Sequence, residues 1–153
     1  MRTVDFLQMK APAEEVFRAA SEVERWPEWL AHYRWVTMRE RSAEGGIVEM
    51  AAWRPFGIAR YPTWWVSRME IDPARLEVRY RHIEGITRGM NVVWQVVSQG
   101  RETAVTIVHE WQGPRWPFVG GVAANLVIGP VFIHGIASRT LAGIARFVER
   151  NHG

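Results

Sequence analysis

The hydrophobic pattern changes period twice along the chain. In RTVDFLQMKAP, Val4, Phe6 and Leu7 alternate with polar residues, which predicts a first strand ending at Pro12. In PAEEVFRAAS, Ala13, Val16, Phe17 and Ala20 recur at spacings of three and four, the mark of one helix face. Proline suits the first turn of that helix, and Glu14 and Glu15 suit its positive end. VERWPEWL predicts a short second helix with Trp26, Trp29 and Leu30 on one face.

From Tyr33 to Gln112 the period falls to two. YRWVTMRER and GGIVEMAAWR flank the hairpin loop SAEGG. YPTWWVSRMEI, LEVRYRHI, TRGMNVVWQVV and TAVTIVHEW follow, joined by the short turns DPAR, EG and SQGR. These six strands predict an antiparallel meander, and the first strand brings the sheet to seven. Side chains alternate along a strand, so the charged positions mark the outer face. Leu76, Val78, Tyr80 and His82 are then inward, opposite Glu77, Arg79 and Arg81. The same rule turns Met90, Val92, Trp94 and Val96 inward, and likewise Val105, Ile107, His109 and Trp111. Val48, Met50, Ala52 and Arg54 form the inner set of their strand, and Thr63, Trp65, Ser67, Met69 and Ile71 that of the next. The inner face of the strand Tyr33–Arg41 is ambiguous by this rule.

At the C-terminus the helical period returns. Ile133, Ile136, Ala137, Thr140, Leu141, Ile144, Phe147 and Val148 fall on one side, and Arg139, Arg146, Glu149 and Arg150 on the other. The 23 residues between Arg115 and Arg139 carry no charge, long enough for a membrane span by length alone. Half of the helix has a polar face, however, and no basic cluster flanks it, so no span is expected. A long helix kinked near Gly129–Pro130 and lying on the sheet fits better. The inner sheet face is apolar and aromatic with a few polar residues, which suggests a pocket between sheet and helix.

Composition narrows the class. The 153 residues fit one domain, 1–153. With no cysteine, disulfides and thiolate metal sites are excluded. The N-terminus lacks the apolar stretch of a secretory signal, so a cytoplasmic protein is expected. The net charge is +3, but the 18 arginines and Lys10 are scattered, so no nucleic-acid partner is expected. The nine tryptophans are the stronger signal, because Trp commonly lines cavities and interfaces.

The order of elements, a strand, two short helices, six antiparallel strands and a long helix, resembles the START/Bet v1-like (SRPBCC) superfamily. APAEEVFRAASEVERWPEWL looks like its opening, EIDPARLEVRYRHIEGITRGMNVVWQV like its central strands, and VTIVHEW with GPVFIHGIASRTLAGIARFVER like its last strand and helix. Within the superfamily the chain is most similar to the bacterial polyketide cyclase/dehydrase and lipid-transport branch. The resemblance implies an α+β helix-grip fold, a curved sheet of seven strands around the long C-terminal helix. It also implies an internal pocket for a hydrophobic small molecule. It does not choose between a cofactor-independent cyclase or aromatase and a non-catalytic carrier of a lipid, isoprenoid or quinone.

His109, inward between Ile107 and Trp111, is the first candidate for proton exchange with an enolising ketone, since an ordinary imidazole titrates at about 6.5. Tyr80 could share that work, and Arg54 could stabilise an enolate or hold an anionic group at a pocket mouth. His82 and Tyr80 could hydrogen-bond a ligand carbonyl, and Ser67 is a further candidate ligand contact. Trp29, Trp65, Trp94 and Trp111, together with Trp26, could form an aromatic wall, with Met90, Asn125, Ile133 and Ala137 completing the lining. His134 flanks the apolar helix face. His82, His109 and His134 lack a second ligand at short spacing, so no metal site is expected. No phosphate loop or Gly-x-Ser-x-Gly elbow is present, and no cofactor is expected. A monomer or homodimer is expected, the uncharged segment 117–128 being the candidate dimer contact.

Overall fold

The computed structural model describes the backbone of residues 1–56, 59–112 and 130–152, and the side chains of all of these except 54–56, 59–61, 130–132 and 152. Strand β1 (Arg2–Met9) leads to helix α1 (Ala13–Ser21), a single 3-10 turn (Val23–Arg25) and helix α2 (Trp26–Trp29). Six strands follow: β2 (Tyr33–Ser42), β3 (Gly45–Phe56), β4 (Ala59–Asp72), β5 (Glu77–Gly85), β6 (Asn91–Gln99) and β7 (Glu102–Glu110). Helix α3 (Pro130–His152) closes the described chain.

The short turns make each strand from β2 to β7 the neighbour of the next, and β1 returns to pair with β7. All pairings are antiparallel, in the order β1-β7-β6-β5-β4-β3-β2, and the sheet is open, with β1 and β2 at its edges. Its inner face carries the residues that parity assigns: Val78, Tyr80 and His82 on β5, Val92, Trp94 and Val96 on β6, and Trp65, Ser67 and Met69 on β4 are all buried. Helix α3 lies across this face, burying Ile133, Ala137, Leu141, Ile144 and Val148. Pro130 is the first described residue of α3. The expected kink at Gly129–Pro130 and the uncharged segment 117–128 lie outside the described residues. No described helix is long and apolar enough to cross a membrane.

Two edge strands depart from what their hydrophobic pattern predicts. On β1 the buried residues are Asp5 and Met9, whereas Val4 and Phe6 are exposed. The Asp5 carboxylate is held by the Nδ1 of His134 on α3, so a polar tie joins the edge strand to the helix. On β2 the register shifts twice against β3, between Tyr33 and Trp35 and between Met38 and Glu40. Each irregularity moves the following side chain to the other face. Tyr33 and Val36 are therefore both buried although three residues apart, which is why no single parity describes this strand.

Helix α2 positions the first wall of the interior. The Trp26 indole N–H donates to the Ala19 carbonyl at 3.0 Å, so the ring is fixed at its polar end while its body packs against Tyr33 and Trp94.

Candidate ligand cavity

Between the inner sheet face and α3 lies a cavity of about 70 Å³. Strands β3 to β7 supply Met50, Trp65, Tyr80, His82, Val92, Trp94, Ile107 and His109 to its lining. Trp26 and Tyr33 come from α2 and β2, Thr87 and Met90 from the β5–β6 turn, and Ile133, Ile136, Ala137 and Thr140 from α3. None of these lining residues carries a formal charge at neutral pH once the histidines are neutral, as their burial makes them.

Sheet register fixes the spacing of the polar groups. His109 pairs with Val92, and Val92 with Tyr80, so His109 and Tyr80 stand on one row with a single strand between them. Two strand spacings put their backbones roughly 10 Å apart. The Tyr80 hydroxyl and His109 Nδ1 are both buried and have no hydrogen-bond partner among the described residues. Burial, followed by the nearby Tyr33, pushes the Tyr80 phenol far above its ordinary value, so it stays protonated. Burial pulls His109 down to about 4. A protonated phenol is a hydrogen-bond donor, and a neutral imidazole offers one donor and one acceptor.

His82 is committed to structure. Its Nδ1 lies 2.6 Å from the Thr87 hydroxyl, and its ring stacks on Trp65 with centroids 5.8 Å apart and planes at 1°. Burial, followed by the neighbouring His109, lowers its pKa to about 3. Thr140 does similar work on the helix side. Its hydroxyl donates to the Ile136 carbonyl at 2.8 Å, so its oxygen accepts from His32 Nε2 at 2.9 Å. Tyr33, whose pKa burial raises, stands beside the same hydroxyl.

Of the residues expected to form a site, the cavity brings together His109, Tyr80, Trp65, His82, Met90, Trp94, Ile133 and Ala137. Trp29, Ser67 and Trp111 are absent from its lining. Trp29 stacks on Phe147 of α3 at 4.1 Å, which turns its ring away from the sheet. Ser67 pairs with His82 across β4 and β5, is fully buried, and has a hydroxyl without a partner among the described residues. Trp111 lies just past β7, and its indole N–H is taken by the Arg88 carbonyl at 3.0 Å. The Arg54 side chain and Asn125 lie outside the described residues. Tyr33, Thr87, Thr140, Met50 and Ile136 line the cavity without having been singled out as site residues. The signal for Thr140 was a hydroxyl on an otherwise apolar helix face; bulges hid Tyr33.

A curved, open antiparallel sheet of seven strands, with a long C-terminal helix over an apolar interior, defines the helix-grip class of START/Bet v1-like ligand-binding domains. Residues 9–130 match the sequence profile of the family described as polyketide cyclase/dehydrase and lipid transport, and the chain belongs to that family. No curated protein sequence matches it. Among solved structures, TTHA0849 from Thermus thermophilus is 20% identical with a TM-score of 0.84, covering 100% of both chains. The Zhui aromatase/cyclase from Streptomyces sp. R1128 is 19% identical with a TM-score of 0.79, covering 98% of this chain and 94% of its own. Norcoclaurine synthase from Thalictrum flavum, in complex with a transition-state analogue, is 15% identical with a TM-score of 0.74, covering 100% and 96%. Likeness at these identities speaks for the fold.

Proposed function

We propose that the protein binds an uncharged, oxygen-bearing aromatic or polyketide-like molecule between sheet and α3, and orients it with Tyr80 and His109. The observation that carries this reading is the pair of buried polar atoms, without a partner among the described residues, on one row of a mostly apolar lining. Leaving such atoms unsatisfied costs about 1–3 kcal/mol each, and a ligand with two oxygens would recover much of that. A charged ligand would find no counter-charge among the described lining residues and would lose its hydration. A cavity of about 70 Å³ is smaller than the roughly 150 Å³ that admits benzene in an apolar interior. Ring systems therefore enter by displacing side chains. Met50 and Met90, unbranched and adaptable, are the lining residues best suited to yield.

A second reading adds chemistry: cyclisation and dehydration of a folded polyketone. The family membership and the likeness to an aromatase/cyclase favour it. Holding the chain folded for an intramolecular aldol supplies most of the rate gain. Tyr80 would donate to the developing enolate oxygen, and His109 would accept a proton. Arg54 is retained in this reading as a further enolate-stabilising group. A histidine held at about 4 is a weak base at neutral pH, so carriage and positioning come before proton transfer.

The test is quenching of tryptophan fluorescence by polycyclic phenols, quinones and fatty acids, in the wild type, Tyr80→Phe and His109→Phe. Saturable one-to-one quenching by uncharged phenols or quinones, weakened in both variants, is expected. Equal affinity in all three proteins would overturn the assignment. Turnover of a poly-β-ketone by the wild type, lost in these variants and in Arg54→Ala, would establish the second reading.

A further inference from the structure

Outside the cavity, a cleft of about 390 Å³ opens between the solvent side of α3 and the chain joining α2 to β2. Its size falls in the range of ligand pockets, roughly 300–1,000 Å³. Arg139 and Arg146 line it from α3, Leu30 and His32 from the α2–β2 connection, and Trp53 from β3. Arg139 and Arg146 are seven residues apart, two helical turns, so both guanidiniums rise from one stripe with Ala142 between them. Both are exposed, and neither forms an ion pair with a carboxylate among the described residues. Among the described residues, no Asp or Glu lines the cleft. A third guanidinium, that of Arg34, lies 4.6 Å from the Trp53 ring centre and 4.8 Å from that of Trp35.

The positive field is felt inside the cleft. His32 is lowered to about 4, first by burial and then by Arg139 and Arg146. It is therefore neutral at pH 7, and the charges facing the cleft are those of the arginines. Two planar donor forks, apolar surface from Leu30 and Ala142, and an indole make a chemistry unlike that of the uncharged interior. Guanidinium forks match carboxylate and phosphate oxygens two at a time.

We propose that this cleft is a second ligand site, taking a small organic anion whose carboxylate- or phosphate-type group is held by Arg139 and Arg146 while its flat apolar body lies against Leu30, Ala142 and Trp53. The site adjoins the interior. His32 lines the cleft, its hydrogen-bond partner Thr140 lines the cavity, and the His32 ring lies 4.7 Å from that of Tyr33, another cavity residue. One layer of side chains thus separates an anion-selective outer site from a neutral inner one.

Binding of 2-naphthoate, of its neutral isostere 2-naphthamide, and of inorganic phosphate, measured by calorimetry with NMR of the His32 and Trp53 ring protons, tests this. Naphthoate should saturate one site, shift both residues and weaken as salt rises. The double variant R139Q/R146Q should lose at least tenfold in affinity and R139K/R146K less, because Lys keeps charge but not the fork. Both substitutions are on exposed side chains, so folding is not at stake. Naphthamide should bind at least tenfold more weakly than naphthoate, and phosphate should compete with naphthoate. Tyr80→Phe separates the two sites, since it should alter interior ligands and leave naphthoate affinity within twofold. Unchanged affinity in R139Q/R146Q, equal binding of acid and amide, or naphthoate binding that follows Tyr80 instead would overturn the proposal.

Discussion

Tyr80 and His109 face the same interior across Val92, each with a buried polar atom that no group among the described residues satisfies. Such a pair is a stability defect that a ligand can repair. Tyr80→Phe removes the unpartnered hydroxyl while leaving the ring to pack. The folded protein should gain about 1 kcal/mol, read as a higher urea midpoint with an unchanged slope. Affinity for an uncharged phenol should fall about threefold to tenfold, the worth of one hydrogen bond. Opposite movements of stability and affinity are the signature of a binding group. If both fell together, the hydroxyl would have a structural partner.

Stability should decline on mild acidification. His82 and His109 are held at about 3 and about 4 against an ordinary 6.5. Their depressed folded values mean that the unfolded chain takes up protons first. Their contribution is complete above about pH 6.5 and is lost as pH falls from there towards 4 and 3. Each buried histidine should cost roughly 2 kcal/mol between pH 7 and pH 5. His32, also at about 4 but more exposed, should add less. Urea unfolding at pH 7, 6 and 5 measures the slope, and His109→Gln should flatten it by one histidine's share. A stability that does not change over this interval would mean that both histidines titrate alike folded and unfolded.

The strands with charged or amide side chains at outer positions could be oriented from their residues alone. Arg79 and Arg81 on β5, and Asn91 and Gln95 on β6, left one choice of inner face, and the buried sets followed. Edge strands escaped that logic. On β1 burial alternates, but the inward set carries Asp5, met by His134 from near the far end of the chain, while Val4 and Phe6 face out; on β2 the two register shifts break parity. Parity could place Tyr80 and His109 on the inner face, but not on one row, because register depends on where each turn ends. Nor could helical spacing separate Trp26 from Trp29: four residues are too few to fix a face, and stacking on Phe147 draws Trp29 away from the sheet.

The turn between β5 and β6 holds His82 in place. Thr87, buried within that turn, meets His82 Nδ1 at 2.6 Å, and the His82 backbone N–H donates to the Met90 carbonyl at 2.9 Å. Thr87→Val keeps the shape but leaves the imidazole nitrogen unpaired in a buried site. It should cost about 1–3 kcal/mol and loosen the ring from Trp65, weakening ligand binding. Thr87→Ser restores the hydroxyl and should recover most of both losses. Chemical denaturation and the His82 ring resonances would report this; a Ser variant as damaged as Val would show that the methyl group, rather than the hydrogen bond, matters.

Gly45 begins β3 between two neighbours, paired with Ser42 of β2 and Glu70 of β4. Its φ is +141°, and a Cβ there would overlap the Met69 carbonyl, a backbone group fixed by the β3–β4 ladder. Gly100, in the β6–β7 turn, also has a positive φ, +72°, but a Cβ there would meet open space. The two positions separate conformation from crowding. Gly100→Ala should cost only the strain of a left-handed residue, about 1–2 kcal/mol. Gly45→Ala must add the displacement of a paired strand and should cost at least about 3 kcal/mol, with protection from hydrogen exchange lost first in β2 and β3. Equal losses at the two sites would mean that the β3–β4 ladder yields freely, and the sheet edge beside the cavity would then be softer than its register implies.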